Sequence, residues 1–159
     1  MKNLLENEYK NRINDFNSDE RNLLYDYLIK RAEKDEAIVF YYKMKGDFNR
    51  YIAEYSKGDL KKQFEDSGLK AYDEAIERVP KLQILNPLHL RLFLNYSIFQ
   101  YEILNNKKKA IVIAKYTINE IIKTLPDTDE DDANIDFISI YNNLKENVDF
   151  WEKEKRKLI

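Results

Sequence analysis

The chain has 159 residues, enough for a single domain over residues 1–159 that buries a core without disulfides or metals. It has no cysteine and one histidine, which excludes thiol nucleophiles, thiolate metal sites and most imidazole chemistry. The formal net charge of −2 argues against a nucleic-acid partner, because phosphate backbones favour a basic excess. Charged residues make up 35% of the chain, with only three glycines and three prolines, which is typical of long amphipathic helices.

The sequence shows no targeting or membrane segment. Residues 1–9 lack the apolar core of a signal peptide, and apolar runs such as 110–114 are too short to span a bilayer. The sequence therefore predicts a cytoplasmic protein without a membrane span.

Apolar residues recur at helical steps almost throughout the chain. Asn17 and Ser18 are good capping residues, so the first segment can break there, and Gly58 is predicted to end the second segment in a left-handed conformation. Asn86 and Pro87 have the pattern of a cap followed by a first helical residue. The predicted helical segments are about 4–31, 36–56, 60–78, 86–104, 107–125 and 133 into the C-terminal Lys/Arg tail.

Short connections between such segments favour antiparallel neighbours. The predicted fold is all-α, an antiparallel bundle or solenoid of about six helices. The apolar sets in the first segment are Leu5, Tyr9, Ile13 and Phe16, followed by Leu24, Tyr27 and Leu28.

Three helices carry polar residues at positions that share a face. In the second segment, the spacing i, i+4, i+7 and i+11 aligns Lys43, Asp47, Arg50 and Glu54, with Tyr51 at the edge. This stripe alone is equally consistent with solvated ion pairs. Asn95, Ile98 and Glu102, with Leu94 alongside, share a face of the fourth segment, and Asn143, Asn147 and Trp151 follow at steps of four in the last. Taken singly these are ordinary surface or packing residues, but together they favour a groove, because an asparagine amide can pair with the main chain of a peptide.

Two long runs resemble signatures of the 14-3-3 family. The run 42–54, YKMKGDFNRYIAE, is similar to Y-x-K-M-K-G-D-Y-Y-R-Y-L-A-E, and the run 94–105, LNYSIFQYEILN, is similar to L-N-Y-S-V-F-Y-Y-E-I-L-N. Weaker matches lie at 71–75, 109–115 and 146–151, the last resembling D-N-L-T-L-W. The matches follow the family's order from Glu8 to Trp151.

The resemblance implies a concave groove that binds partners phosphorylated on serine or threonine, in an adaptor that acts in signal transduction. Arg50 and Tyr51 would hold the phosphate, and Lys43 would add positive potential. Asn95 and Asn147 would hydrogen-bond the main chain of the ligand. The remaining expected groove residues are Leu94, Ile98 and Trp151 on the apolar side, Glu102 at the floor, and Asp47 and Glu54 as orienting groups for the cations.

Departures from the family pattern carry their own expectations. The family's other two phosphate-pocket cations and most of its dimer surface lie on earlier helices, so we expect this chain to be N-terminally incomplete relative to the family. We expect a homodimer or heterodimer where those helices are present. Asn143 replaces a groove leucine, and His89 and Arg91 replace an arginine and a glycine. We interpret His89 as a surface or helix-packing residue.

Two alternatives stay open at this point. The first is a helical scaffold that keeps the fold and has lost phosphate recognition. The second is an enzyme that uses paired acids such as Asp47 and Glu54, or a calcium site in the acidic run 127–132. The acids lack partner residues, and the run lacks EF-hand spacing. The sequence thus predicts no catalytic residue, metal or cofactor.

Overall fold

The computed structural model of the chain describes residues 18–79, 85–124 and 135–158. No strand occurs in these ranges, so the all-α prediction is confirmed. No helix there is long and apolar enough to cross a membrane. The helices are α1 (Ser18–Arg31), α2 (Asp35–Tyr55), α3 (Gly58–Glu77), α4 (Pro87–Ile98), α5 (Lys107–Thr124) and α6 (Ile135–Lys157).

The chain divides into two compact units, residues 1–78 with α1 to α3 and residues 79–159 with α4 to α6. Within the first unit, α1 and α2 are antiparallel, as predicted for helices that follow each other along the chain. Asn22 meets Asn49 while Asp26, one turn later in α1, meets Lys45, one turn earlier in α2.

The α1–α2 interface is largely polar. Asn22 and Asn49 exchange reciprocal side-chain hydrogen bonds of 3.2 and 2.8 Å, and the Asn49 amide also donates to the Lys45 carbonyl at 2.7 Å. Asp26 accepts from the Lys45 ammonium at 2.7 Å. Tyr25 is the buried residue of α1, whereas Leu24 and Tyr27 are 49% and 51% exposed. Of the apolar set at residues 24, 27 and 28, Leu28 alone is half-buried, because α1 meets α2 mainly through Tyr25 and polar side chains.

The α2–α3 interface depends on a close approach at Gly46. A Cβ atom placed on Gly46 would lie 2.7 Å from Cδ1 and Cε1 of Tyr72, closer than non-bonded carbon atoms approach. The Tyr72 ring is fully buried there. Glycine at this position lets the aromatic ring of α3 lie directly on the backbone of α2.

The junction between α2 and α3 differs from the prediction for Gly58. Helix α2 ends at Tyr55, and Ser56 follows with extended backbone and a hydroxyl that donates to the Ile52 carbonyl at 2.7 Å. Gly58 does have the left-handed φ of +61°, but it lies at the first position of α3. The glycine therefore serves the entry into α3, and the end of α2 is formed by Ser56.

In the second unit, α4, α5 and α6 share one apolar core. Asn86 caps α4 by accepting from the Leu88 amide at 2.9 Å, with Pro87 at the first helical position, as the sequence predicts. His89 is buried in the helix packing. The buried core residues are Leu90, Leu94, Ala110, Ala114, Ile121, Ile140, Leu144, Val148 and Trp151.

Helix α4 does not continue regularly to Leu104, as the periodicity predicts. Residues Phe99–Ile103 form a π-helical turn, marked by the Leu104 amide donating to the Phe99 carbonyl at 3.1 Å. Asn105 then takes a left-handed φ of 54°. The wider turn changes the angular position of Glu102, which therefore does not follow Asn95 at a simple i+7 α-helical step.

Candidate functional site

The predicted phosphate residues lie on α2 in the first unit. The Lys43 ammonium donates to Oδ2 of Asp47 at 2.8 Å, one helical turn further on. The two side chains are 14% and 26% exposed, so this ion pair is partly sheltered from water. Arg50 follows Asp47 after three residues and is half-buried. Helix α2 thus carries a cation on each side of one carboxylate.

Tyr72 of α3 fixes that carboxylate from the other side. Its hydroxyl donates to Oδ1 of Asp47 at 2.5 Å. Burial raises the pKa of Tyr72 well above its ordinary value, and the charge of Asp47 and its hydrogen bond act in the same direction. The charge of Arg50 opposes the rise, which indicates that the guanidinium lies near the phenol. Tyr72 is thus a neutral donor that holds Asp47 in place.

Tyr51 lies at the edge of the same helix face. Its ring meets Tyr55 edge-on, with centroids 5.3 Å apart and an angle of 64° between the rings. Tyr51 is half-buried, whereas Glu54 is exposed. The ring contact restricts where the Tyr51 hydroxyl can point.

The predicted peptide residues lie on α4 and α6 of the second unit. Near the start of both helices, Arg91 donates to Oδ1 of Asp136 at 2.9 Å. Further along the chain, Tyr101 of the π-helical turn that follows α4 stacks on Trp151 of α6, with centroids 4.5 Å apart and an angle of 11°. Because the order of contacts is the same along both helices, α4 and α6 run parallel.

The predicted peptide residues differ in how exposed their side chains are. Leu94 and Trp151 are only 8% and 4% exposed and belong to the apolar core, so little of either side chain is left for a ligand. Ile98 is partly buried and packs against that core. Asn95 and Asn147 are half-buried, and Glu102 is exposed. The convergence of Arg50, Tyr51, Asn95 and Asn147 on one hollow stays a prediction.

Sequence reasoning missed several residues that shape these two surfaces. Tyr72 lies in the weak family match at 71–75, and that match is the sequence feature that could have drawn attention to it. Asn49 and Gln100 are both buried where the two family signatures have tyrosine. The comparison with those signatures could have drawn attention to them. Nothing in the periodicity indicates the ion pair of Arg91 with Asp136.

Within the ranges 18–79, 85–124 and 135–158, no cluster of three or more His, Cys, Asp or Glu residues could hold a metal ion. The acidic run 127–132, considered above for calcium, lies outside the described residues.

Comparisons with known proteins agree with the signatures on α2 and α4. A family model described as 14-3-3 protein matches residues 1–152. The chain is 43% identical over 133 residues to 14-3-3 protein theta of Homo sapiens, covering 83% of this chain and 54% of the relative. It is 39% identical over 154 residues to 14-3-3 protein beta/alpha-1 of Oncorhynchus mykiss, covering 94% and 63%, respectively. It is 40% identical over 130 residues to 14-3-3 protein 8 of Solanum lycopersicum, covering 81% and 49%.

The chain therefore spans about half to 63% of the length of these relatives. The match to the family model extends over most of its 159 residues. The first long signature lies on α2, and the second covers the end of α4, the π-helical turn and the two residues that follow it. The chain belongs to the 14-3-3 family.

Proposed function

We propose that this protein is a non-catalytic adaptor that binds partners phosphorylated on serine or threonine and acts in cytoplasmic signal transduction. The observation that carries the proposal is the face of α2 on which Lys43 and Arg50 flank a carboxylate held by Tyr72. Family membership supports the same role.

A phosphorylated side chain fits this face on chemical grounds. It carries close to two negative charges at neutral pH and has three strong acceptor oxygens. Arg50 offers a planar fork of donors that matches two phosphate oxygens, and Tyr51 offers a hydroxyl donor. Each charge-assisted bond contributes about 1.5–3 kcal/mol net. Lys43 adds positive potential.

The negative charge of Asp47 would repel a phosphate, but the hydrogen-bond donors around this carboxylate offset part of that repulsion. Both of its oxygens have donors, Oδ2 from Lys43 and Oδ1 from Tyr72. A carboxylate engaged on both oxygens is restrained on α2 and orients Lys43. From Lys43 to Arg50, this face of α2 carries two cations and one carboxylate, a net charge of +1 that favours an anion.

In the second unit, we propose that the side-chain amides of Asn95 and Asn147 hydrogen-bond the main chain of the same ligand. Both amides are half-buried, and they lie on two parallel helices joined by the Arg91–Asp136 and Tyr101–Trp151 contacts. An amide held at a restricted position can donate to a peptide carbonyl and accept from a peptide N–H. Ile98 and Glu102 would flank the ligand, and Leu94 and Trp151 would support this surface from the core.

Dimerisation is part of the proposal. Leu23, Leu24 and Tyr27 give α1 an exposed apolar face, which is consistent with a partner surface. The partner would be a second copy or a related chain, and light scattering of the full-length protein measures the mass directly. A monomer at all concentrations would contradict this part and leave phosphopeptide binding untouched.

The test of binding is fluorescence anisotropy with a labelled phosphoserine peptide and its unphosphorylated twin. We expect phosphate-dependent binding that weakens about 10- to 150-fold in Arg50→Ala, the effect of losing one charge-assisted bond. Arg50→Lys, which keeps the charge and loses the fork, should lie between the two. Arg31→Ala is the matched control, because it removes the same charge from the end of α1. Equal binding of the two peptides by the wild type would favour the phosphate-independent scaffold instead.

A further inference from the structure

Helix α6 presents a regular stripe of residues beside its buried face. Asp136, Asn143 and Asn147 follow one another at steps of seven and four, so they share one side of the helix. Asp136 is fixed on that side by its ion pair with Arg91 of α4. The stripe that contains the two asparagines is therefore the one that starts beside α4.

The parallel course of α4 and α6 sets which residues lie at the same height. Arg91 and Asp136 are paired, and both helices rise about 1.5 Å per residue. Seven residues after Arg91 comes Ile98, and seven residues after Asp136 comes Asn143. Counted from this pair Ile98 is level with Asn143, and counted from the Tyr101–Trp151 stack it is level with Val148, so residues 143–148 of α6 run beside Ile98.

Asn143 and Asn147 are the amide side chains that this stripe carries at this height on α6. Asn143 is exposed and Asn147 is half-buried, whereas Leu144 and Val148 point into the core. Phe150, at 59% exposure, continues the stripe one turn further on. This surface thus offers two amides one turn apart, followed by an aromatic ring.

Two neighbouring amides favour a ligand side chain that can both donate and accept hydrogen bonds. Each amide has two donor hydrogens and an acceptor oxygen. An asparagine, glutamine, serine or threonine of the peptide can pair with them, whereas a leucine would cover polar groups without replacing the water they bind. In the family pattern a leucine stands at position 143, which would give the opposite preference.

We infer that Asn143 is a specificity-determining residue that selects, at one position flanking the phosphorylated residue, a neutral amide or hydroxyl side chain over an apolar one. This inference rests on the proposed function, since it concerns the same ligand. It adds to that function a chemical class of partner, namely phosphopeptides with a hydrogen-bonding residue at that position.

The test is a set of phosphoserine peptides in which one flanking position at a time carries asparagine, glutamine, serine, threonine, leucine or valine. Affinities are measured for the wild type, Asn143→Leu, Asn143→Ala and the control Asn142→Leu. Asn142 is also exposed but points about 100° away around the helix, so it tests for a general effect of leucine on α6. Circular dichroism checks that each variant keeps its helical content.

For the wild type we expect one flanking position that prefers the hydrogen-bonding residues about three- to tenfold over leucine. Asn143→Leu should reverse this preference, Asn143→Ala should flatten it, and Asn142→Leu should leave it unchanged. An unaltered preference in both position-143 variants, with binding still dependent on phosphate, would overturn this inference alone. Binding of the wild type that ignores phosphate would overturn the proposed function as well.

Discussion

Tyr72→Phe is the most direct perturbation of the support beneath the phosphate face. The substitution keeps the buried ring against Gly46 and removes only the hydroxyl that donates to Asp47 at 2.5 Å. Asp47 then keeps its ion pair with Lys43 and loses its second donor. We expect lower stability of the first unit and a less restrained carboxylate.

The structure sets the size of this effect. A hydrogen bond to a charged group contributes about 1.5–3 kcal/mol, and the Asp47 side chain is 26% exposed, so water can replace part of what is lost. We therefore expect Tyr72→Phe to lower the free energy of unfolding by about 1–2 kcal/mol near neutral pH.

The raised pKa of Tyr72 adds a dependence on pH. Because the pKa is higher in the folded state than the ordinary value of 10.0, this phenol contributes stability that is fully present below about pH 10. The contribution is lost as the pH rises further, at about 1.4 kcal/mol per pH unit until the folded pKa is reached. Tyr72→Phe should remove that part of the alkaline loss.

Urea unfolding followed by circular dichroism measures both the loss of stability at neutral pH and its dependence on pH. The series is repeated from pH 7 to 11, roughly the range over which tyrosine ionises. Burial first, and then the charge of Glu154, also raise the pKa of Tyr101, so the alkaline loss assigned to Tyr72 is the difference between wild type and variant. Tyr116→Phe, at an exposed tyrosine of the second unit, is the control. Equal stability of wild type and Tyr72→Phe at neutral pH, with parallel alkaline curves, would refute the assigned role.

Two further predictions concern the packing of the first unit. Gly46→Ala should lower the free energy of unfolding by about 1–3 kcal/mol, because the new methyl group overlaps the Tyr72 ring. Alanine is the better helix former by about 1 kcal/mol, so a stabilised variant in urea unfolding would show that the ring moves aside freely. Asn49→Ala should cost about 1–3 kcal/mol by leaving Asn22 without its partner amide. The double variant with Asn22→Ala should recover part of that loss in a double-mutant cycle, and strictly additive losses would contradict the pairing.

Most of the fold could be predicted because helical periodicity is a local property of the sequence. The ends of α2, α3 and α5 lie within about two residues of the predicted ones, which is the usual uncertainty of helix ends. The Asn86 cap and Pro87 mark the start of α4 through chemistry that acts within three residues.

The features that could not be predicted depend on contacts distant in sequence or on small energy differences. Asn22 and Asn49 are 27 residues apart, and an amide pair leaves no periodic pattern. The π-helical turn at Phe99–Ile103 contains no glycine or proline that would indicate it. Each of these depends on how α1 or α4 packs against its neighbours.

In the candidate site, too, some features could be predicted from the sequence and others could not. The family signatures identified Lys43, Arg50 and Tyr51, and these do lie on one helix. The signatures did not indicate that Leu94 and Trp151 would be withdrawn into the core, because burial depends on how α4 and α6 pack. Of the residues predicted to contact the peptide in the second unit, the more accessible ones are consequently mainly polar.

The central claim is that cations of the first unit and amides of the second bind one phosphopeptide. The most direct measurement is an NMR titration of the isotope-labelled protein that follows the Arg50 guanidinium and the side-chain amides of Asn95 and Asn147. Our account predicts that all three signals shift with the same Kd, and that the unphosphorylated peptide produces no shift at Arg50. Shifts confined to one unit, or two different Kd values, would contradict it.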